Sequence, residues 1–274
     1  MPKTRNPRIN RFSHPHKEAS AMNRVVCSVT AAAALALAGP GFAAPIVING
    51  SGTTSGINSG FGDVVGATST IDVTTDVAGN VSMTFNFGSA DLNDSAVVYI
   101  DSDSGATGVT NTSTLTDTFD PLRSAISGTD GTNSSDLGFA SGFAADTAIA
   151  FNTGFAGMWN ALGVDPSDHA FVKSVGAAPS ATDASASFAF TMADLGLTAG
   201  DSFRFVVTYL NSGNAFRSDE FHGVAPATAS SGNIGQSPLN LASGDFNTVN
   251  SVPEPGSLAL MGLGGLLMLR RRSA

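Results

Sequence analysis

The sequence predicts an all-β protein: an antiparallel, jelly-roll-like β-sandwich with one or two short helices. Three observations support this fold class. Apolar and polar residues alternate with a period of two along several short segments, which is the pattern of strands with one buried face. Frequent Gly, Ser, Thr, Asn and Asp residues separate these segments and supply turns. Helix signals are few, so two packed sheets are the expected architecture.

The first clear pair of strands lies at residues 70–74 and 81–87, where apolar residues alternate with polar ones. Ala78-Gly79-Asn80 separates the two runs, so they are expected to form an antiparallel hairpin. Residues 202–210 carry the strongest strand signal in the chain. The remaining strands are expected at residues 96–100, 147–151, 170–175 and 185–191.

Two short helical segments interrupt the strands. Asp120 followed by Pro121 predicts a helix that continues to Ser127, because Asp caps a helix N-terminus and Pro suits its first position. A single helical turn is expected at residues 191–195. Neither segment is long enough to change the fold class.

The N-terminal end has the layout of a secretory signal peptide. Arg24 precedes an apolar run over residues 25–38, and small residues follow the run. This order predicts cleavage after Ala43. Met22 is an alternative start of the chain, because the segment before it shows no periodicity.

Four parts of the chain follow from these patterns. Residues 1–43 form the leader with the signal peptide, and residues 44–224 form the β-sandwich domain. Residues 225–251 contain few aromatic residues and are predicted to be a linker, in which a last strand near residues 246–249 is left open. Residues 252–274 form a separate tail.

The tail has three parts in a fixed order. Pro253, Glu254 and Pro255 open it, an apolar run covers residues 257–269, and Arg270, Arg271 and Arg272 follow. As a helix the run is about 20 Å long, against about 30 Å of hydrocarbon in a bilayer. A buried helix is the alternative. The position between Pro-Glu-Pro and three arginines favours a transmembrane segment whose arginines stay in the cytoplasm.

This tail resembles the PEP-CTERM sorting signal of surface proteins of Gram-negative bacteria. The resemblance covers residues 252–272 and includes all three parts. It implies an exported protein that is anchored in the inner membrane through its C-terminus. The resemblance also implies that an exosortase-type enzyme processes the chain at Pro253, Glu254 and Pro255. The implied destination is the cell surface or the extracellular space, and exopolysaccharide is a candidate partner because such proteins are often associated with it.

The body between the two ends is strongly acidic. Residues 44–251 contain four basic and twenty acidic residues, a net charge near −16. Such a body repels nucleic acid and anionic lipid, so neither is an expected partner. Cys27 is the only cysteine and lies in the predicted signal peptide. The mature chain is therefore expected to have neither a disulfide nor a thiol nucleophile.

One loop of the body has the composition of a metal site. Asp101-Ser102-Asp103-Ser104-Gly105 follows a predicted strand and resembles the start of a calcium loop, where alternate carboxylates bind a hard cation. Thr112 stands where a complete EF-hand loop has glutamate, and the same five residues also suit a plain turn. Calcium at Asp101 and Asp103 is thus the one cofactor left open.

Catalysis is not expected in the body. Only His169 and His222 remain after the leader, which are few parts for histidine-based acid–base or zinc sites. Asp168 precedes His169, but adjacent residues on a strand point to opposite faces. A glycoside hydrolase with paired aspartates stays open as an alternative, although nothing in the sequence selects two of them.

Aromatic residues cluster at Phe139, Phe143, Phe151, Phe155 and Trp159. Exposed rings are typical of glycan-binding sandwiches, but aromatic rings usually fill the core, which is the favoured interpretation. The region has a vague similarity to secreted carbohydrate-binding or DOMON-like sandwiches. The sequence thus predicts an exported, non-catalytic surface or matrix protein. A carbohydrate- or calcium-binding module is the first alternative and a glycan hydrolase the second.

Overall fold

A computed structural model describes residues 45–51, 61–103, 107–160, 162, 164–223 and 235–251. Within these residues there is one α-helix, α1 (Pro121–Ser127), together with 3₁₀ turns at Thr112–Thr114 and Met192–Leu195. The strands are β1 (Ile46–Ser51), β2 (Thr70–Thr75), β3 (Asn80–Asn86), β4 (Ser95–Asp101), β5 (Leu137–Gly138), β6 (Thr147–Phe151), β7 (Ala156–Asn160), β8 (Ala170–Ser174), β9 (Ser185–Thr191), β10 (Ser202–Asn211), β11 (Phe216–His222), β12 (Leu239–Asn240) and β13 (Asn247–Asn250).

Antiparallel pairing joins most of these strands into one large curled sheet. Its order is β8-β7-β6-β4-β10-β11-β1-β2-β3-β9, and β13 pairs with the first half of β10. The sheet folds over at β1, which pairs with β11 through Gly50 and Ser51 and with β2 through residues 46–49. β5 and β12 form a separate short parallel pair. The predicted all-β, antiparallel fold class is confirmed.

The two ends of the curled sheet also approach each other. Ala189 N of β9 donates to Val175 O, just beyond β8, at 2.8 Å. Lys173 Nζ of β8 lies 2.9 Å from Asp194 Oδ2 in the 3₁₀ turn after β9. These contacts satisfy some of the backbone groups at the sheet ends, which would otherwise be open to pairing with another chain.

The main core lies between the two halves of the curled sheet. Buried residues alternate with less buried ones along β2, β3 and β9, as the period of two in the sequence predicts. The ring centroid of Phe85 lies 5.0 Å from that of Phe151 and 5.7 Å from that of Phe188. Rings at these distances and angles stabilise a core beyond the apolar area that they bury.

A second core covers the opposite face of β4, β6 and β10. Residues 107–145, which include α1 and are called the covering layer below, place Leu122, Ala125 and Ile126 against this face. Tyr99 of β4 donates its hydroxyl to Ile126 O at 2.7 Å. Since both faces are covered, β4 and β6 are buried along their whole length. Their sequences are therefore mostly apolar and do not alternate between apolar and polar residues.

Both helical segments predicted from the sequence are present, and their N-terminal caps have the expected hydrogen bonds. Asp120 Oδ1 accepts from Leu122 N at 2.9 Å and from Arg123 N at 3.0 Å, and Pro121 is the first helical residue. Gly128 ends α1 with φ 68°, a left-handed conformation that glycine adopts without steric cost. Thr191 and Asp194 form a reciprocal capping box on the second 3₁₀ turn.

Several strands lie outside the sequence prediction. β1, β7 and β11 were not expected, and β11 is almost entirely buried although it contains arginine, aspartate and glutamate. β13 lies in the segment 225–251, for which the sequence left a last strand open. The predicted leader and tail fall outside the described residues. In the part of the chain that is described, no helix combines the length and apolar character needed to cross a membrane.

Val249→Ala tests whether β13 belongs to the folded body. Val249 is fully buried in the main core, and it pairs with Phe203 of β10. We expect the variant to lose about 2 kcal/mol of unfolding free energy, because the truncation leaves a cavity. Urea unfolding of residues 44–251 measures the loss. Val164→Ala is the control, since Val164 is 83% exposed. Equal midpoints for both variants would show that β13 is not packed.

Candidate functional site

Three aspartates meet where the chain leaves the sheet and enters it again. Asp101 ends β4, Asp103 follows it, and Asp146 immediately precedes β6. β4 and β6 pair antiparallel, with Ile100 opposite Thr147, so the end of one strand lies beside the start of the other. The three carboxylates each offer an oxygen, and these atoms all lie within 4.8 Å of one another. The sequence-predicted pair Asp101 and Asp103 thus gains Asp146, which a long insertion separates from them in the chain.

The electrostatics of this acidic cluster centre on Asp146. The pKa of Asp146 is raised above its ordinary value, mainly by burial. Hydrogen bonds from Ser102 oppose this shift, and the negative charge of Asp103 adds to it. Asp146 Oδ2 accepts from Ser102 N at 2.9 Å and from Ser102 Oγ at 2.7 Å. Its Oδ1 is shielded from solvent and accepts no well-aligned hydrogen bond from the residues that the structure describes. Arg204 Nη1 lies 3.6 Å from Asp101 Oδ2 and offsets part of the negative charge. The cluster therefore offers oxygen ligands suited to a hard divalent cation.

The clustered aromatic residues of the sequence fall into two groups. Four of them contribute to the cores or pack against them: Phe139, Phe143, Phe151 and Trp159. Phe155 is different, because it is 41% exposed. Its ring centroid lies 6.4 Å from that of Trp159 and 6.0 Å from that of Phe171 on β8, which is 50% exposed. The core interpretation thus holds for four residues and is wrong for Phe155.

An open groove lies between the start of α1 and the strands β7 and β8. Its volume is about 510 Å³, and its lining includes Asp120, Arg123, Asn152, Phe155, Trp159 and Phe171. We call it the aromatic groove. It brings two exposed rings together with four side chains that carry hydrogen-bonding groups.

The two histidines of the body are both buried. His222 Nε2 lies 2.9 Å from Ser69 Oγ, and burial lowers the pKa of His222 to about 3, so its ring is neutral. His169 Nε2 lies 3.0 Å from Ser127 Oγ, and burial lowers the pKa of His169 as well. Asp168 Oδ1 instead accepts from Arg123 at 2.6 Å. Asp168 and His169, adjacent in the sequence, therefore contact different partners.

Strand β11 carries buried charged residues that sequence reasoning did not find. Arg217 donates to Ser135 O through Nε and Nη2, at 3.2 and 3.0 Å. Glu220 Oε2 accepts from the backbone N–H groups of Val64 and Val65 at 2.7 and 2.8 Å. Burial raises the pKa of Glu220 to about 7, although these donors oppose the shift. Both side chains connect β11 to neighbouring loops, and this indicates a structural role.

Comparison with known proteins identifies the tail. Residues 251–273 match the family model of the PEP-CTERM protein-sorting motif. The chain carries a PEP-CTERM sorting motif. The resemblance seen at residues 252–272 is thereby confirmed. No curated protein and no solved structure matches the chain, so the similarity to DOMON-like sandwiches is not confirmed.

The PEP-CTERM motif implies an exported protein that is held in the membrane before an exosortase processes it. The predicted processing residues Pro253, Glu254 and Pro255 and the arginines Arg270, Arg271 and Arg272 lie within the matched stretch. Like the predicted signal cleavage after Ala43, they fall outside the described residues, so their geometry stays a prediction.

The PEP-CTERM motif begins where the described body ends. Ser251 N donates to Asp201 O at 3.2 Å, and Ser251 Oγ accepts from Gly200 N at 2.7 Å. These two bonds hold residue 251 against the turn before β10. Processing at residues 253–255 would therefore remove no residue of the described body.

Glu220→Gln should remove one contribution to the pH dependence of folding stability, whose sign is opposite to that of the buried His169 and His222. The pKa of Glu220 is about 7 in the folded chain, against 4.5 for an unperturbed glutamate. Folding therefore favours the protonated carboxyl group. Its contribution is full below pH 4.5 and is lost as the pH rises through 7, which amounts to about 3 kcal/mol. Urea unfolding of the parent chain and of Glu220→Gln between pH 4.5 and 8 measures this contribution as the difference between their unfolding free energies.

The control for this measurement is Asp130→Asn. Hydrogen bonds from Asn133 and Thr132 lower the pKa of the exposed Asp130, so its titration ends below this pH range. That variant should keep the parental slope. An unchanged slope in Glu220→Gln would contradict the assignment of Glu220.

Proposed function

We propose that this chain is a non-catalytic protein of the cell surface or extracellular matrix, and that exosortase processing of its tail delivers the folded body. The observation that carries the proposal is the PEP-CTERM motif at residues 251–273, directly after a strand that is packed into the main core. Because Val249 is buried and Ser251 is hydrogen-bonded, the body can keep its core when the tail is removed. Exopolysaccharide is the expected surrounding material.

The contacts of the titratable residues support a non-catalytic body. Glycan hydrolysis, the alternative left open by the sequence, requires two carboxylates that are available to substrate. Asp146 and Asp194 do line one opening of about 280 Å³. Asp194 Oδ2, however, accepts from Lys173 Nζ at 2.9 Å and from Thr191 N at 2.7 Å, and so closes the 3₁₀ turn after β9. This oxygen of Asp194 is thus used within the fold.

A second candidate function is the binding of a divalent cation by Asp101, Asp103 and Asp146. The specific observation in its favour is the shielded Oδ1 atom of Asp146, which accepts no well-aligned hydrogen bond from the described residues and lies beside two further carboxylates. A cation there would satisfy this oxygen and reduce the repulsion among the aspartates. Calcium fits the all-oxygen ligand set.

Pro253→Ala combined with Glu254→Ala tests the sorting proposal. In a Gram-negative host that has an exosortase, the parent chain should leave the membrane fraction with a mass that lacks the tail. The double variant should stay in the membrane with its tail attached, because the processing enzyme no longer recognises it. A third chain that lacks residues 252–274 should never enter the membrane fraction. Intact mass measurement of both fractions gives the result.

The matched control for the sorting test is Pro238→Ala, which removes an exposed proline outside the motif. This variant should be processed like the parent. Release of the double variant with a shortened tail would contradict processing at the Pro-Glu-Pro sequence. Release of the parent chain at full length would contradict the sorting proposal as a whole.

Calorimetric titration with calcium tests the second candidate. The parent chain should release or absorb heat and show a higher melting temperature at millimolar calcium, since binding to the folded state alone stabilises it. Asp146→Asn should reduce the affinity at least about tenfold, because it removes the charge of one ligand. Asp130→Asn, which changes an acidic loop outside the cluster, should bind calcium normally. The absence of heat and of any melting shift in the parent would end this candidacy.

A further inference from the structure

The aromatic groove has exposed rings that the fold itself does not use. Phe155 and Phe171 are 41% and 50% exposed, although most aromatic side chains of the described body are buried. They belong to the face of the sheet that the covering layer protects elsewhere. Trp159 lies beside both, with its ring centroid 5.7 Å from that of Phe171. Two exposed rings that pack against a buried tryptophan at the rim of a core form an apolar surface, which is a mark of a binding site.

Packing fixes the orientation of this surface. Gly157 lies between Phe155 and Trp159 on β7, and a Cβ atom there would come within 2.7 Å of Phe155 Cε1 and 2.8 Å of Trp159 Cη2. The two rings therefore close over Gly157, and a side chain at this position would displace one of them. Asn152 Oδ1 accepts from Gly154 N at 2.8 Å and from Phe155 N at 3.1 Å, which holds the turn that carries Phe155. A preformed surface binds with a smaller loss of conformational entropy.

Hydrogen-bonding groups surround the rings. Asp120 contributes a carboxylate, Arg123 a guanidinium group and Asn152 a side-chain amide. The indole Nε1 of Trp159 is shielded from solvent, and no described residue forms a hydrogen bond with it. Buried indole N–H groups normally have a partner. Asp120, Arg123 and Asn152 also bond within the fold, so each offers a ligand the donor or acceptor capacity that these bonds leave over.

We infer that the aromatic groove is a binding site for a neutral saccharide. A pyranose ring has an apolar face of C–H groups, which rest on the negative face of an aromatic ring. Its edge carries hydroxyl groups, which donate and accept at once and so match a mixed rim. The volume of about 510 Å³ lies within the range of small-ligand sites.

Charge excludes the anionic ligands that stack on aromatic rings. Arg123 is paired with Asp117, Asp120 and Asp168, so the surroundings of the groove carry more negative than positive charge. The body as a whole has a net charge near −16. Nucleotides, nucleic acid and uronic acid polymers would be repelled. The inference goes beyond the proposed function, because it concerns the body and is independent of the tail.

Binding is tested on the full chain, purified in a detergent without a sugar headgroup, since glycoside detergents would compete for the groove. The probes are cellohexaose, maltohexaose and mannohexaose, with hexagalacturonate as an anionic comparison. Calorimetry measures affinity. Tryptophan fluorescence reports the place of binding, because Trp159 is the only tryptophan in the chain and lines the groove. We expect at least one neutral probe to give heat and a saturable fluorescence change, and hexagalacturonate to give neither.

Phe171→Ala is the decisive variant, and Phe119→Ala is its matched control. Phe171 is half exposed, so its truncation should preserve the fold and lower the affinity at least about tenfold through the lost stacking. Phe119 is 85% exposed and does not line the groove, although Arg123 lies over its ring at 5.4 Å. Because Asp117 and Asp168 also hold Arg123, truncation of Phe119 should leave the affinity nearly unchanged. The polar variant Asp120→Asn keeps a helix cap and should weaken binding by about threefold to tenfold.

Several results would overturn the inference. The first is the absence of heat with all three neutral probes at millimolar concentration. The second is heat without a fluorescence change, which would place the saccharide elsewhere on the chain. The third is equal affinity in the Phe171 and Phe119 variants. The fourth is self-association of the chain, lost in Phe171→Ala without any saccharide, which would make a second copy the occupant. None of these outcomes bears on processing of the tail, so the two proposals fail separately.

Discussion

The described body depends on the burial of β4, β6 and β10 on both faces. Between residues 44 and 251 the sequence contains no cysteine, so apolar packing must provide the stability that disulfides supply in many exported proteins. The main core covers one face and the covering layer the other. Polar groups that are buried at these two cores need partners, and the hydrogen bonds of Tyr99, Arg217 and Glu220 provide them.

The burial of β4, β6 and β10 on both faces also determines where side chains that could bind a ligand are accessible. Where β4 ends and β6 begins, the chain leaves the sheet for the covering layer, and this change of direction brings Asp101 and Asp146 together. At the other side, the covering layer stops at α1 before it reaches β8, so the rings of Phe155 and Phe171 stay accessible. The acidic cluster and the aromatic groove are thus both consequences of how one insertion covers one sheet face.

The sequence predicted the elements whose local pattern agrees with their final environment. The hairpin of β2 and β3, the strand β10 and the cap of α1 all have such patterns. β11 was missed because Arg217, Asp219 and Glu220 read as a polar loop, and only distant partners allow their burial. Asp146 and Phe171 were missed for a related reason, since strand pairing and not proximity in sequence brings them to their sites. The tail, by contrast, is a linear signal and could be identified from the sequence.

Amide hydrogen exchange tests the two-sided burial most directly, when it is measured on the chain with and without residues 252–274. Strands β4 and β10, which pair over seven consecutive residues from Arg204↔Asp101 to Leu210↔Ser95, should exchange most slowly and equally in both chains. The exposed strand β8 should exchange much faster. Loss of protection in β4 or β10 on removal of the tail would contradict a body that is stabilised by its own two cores.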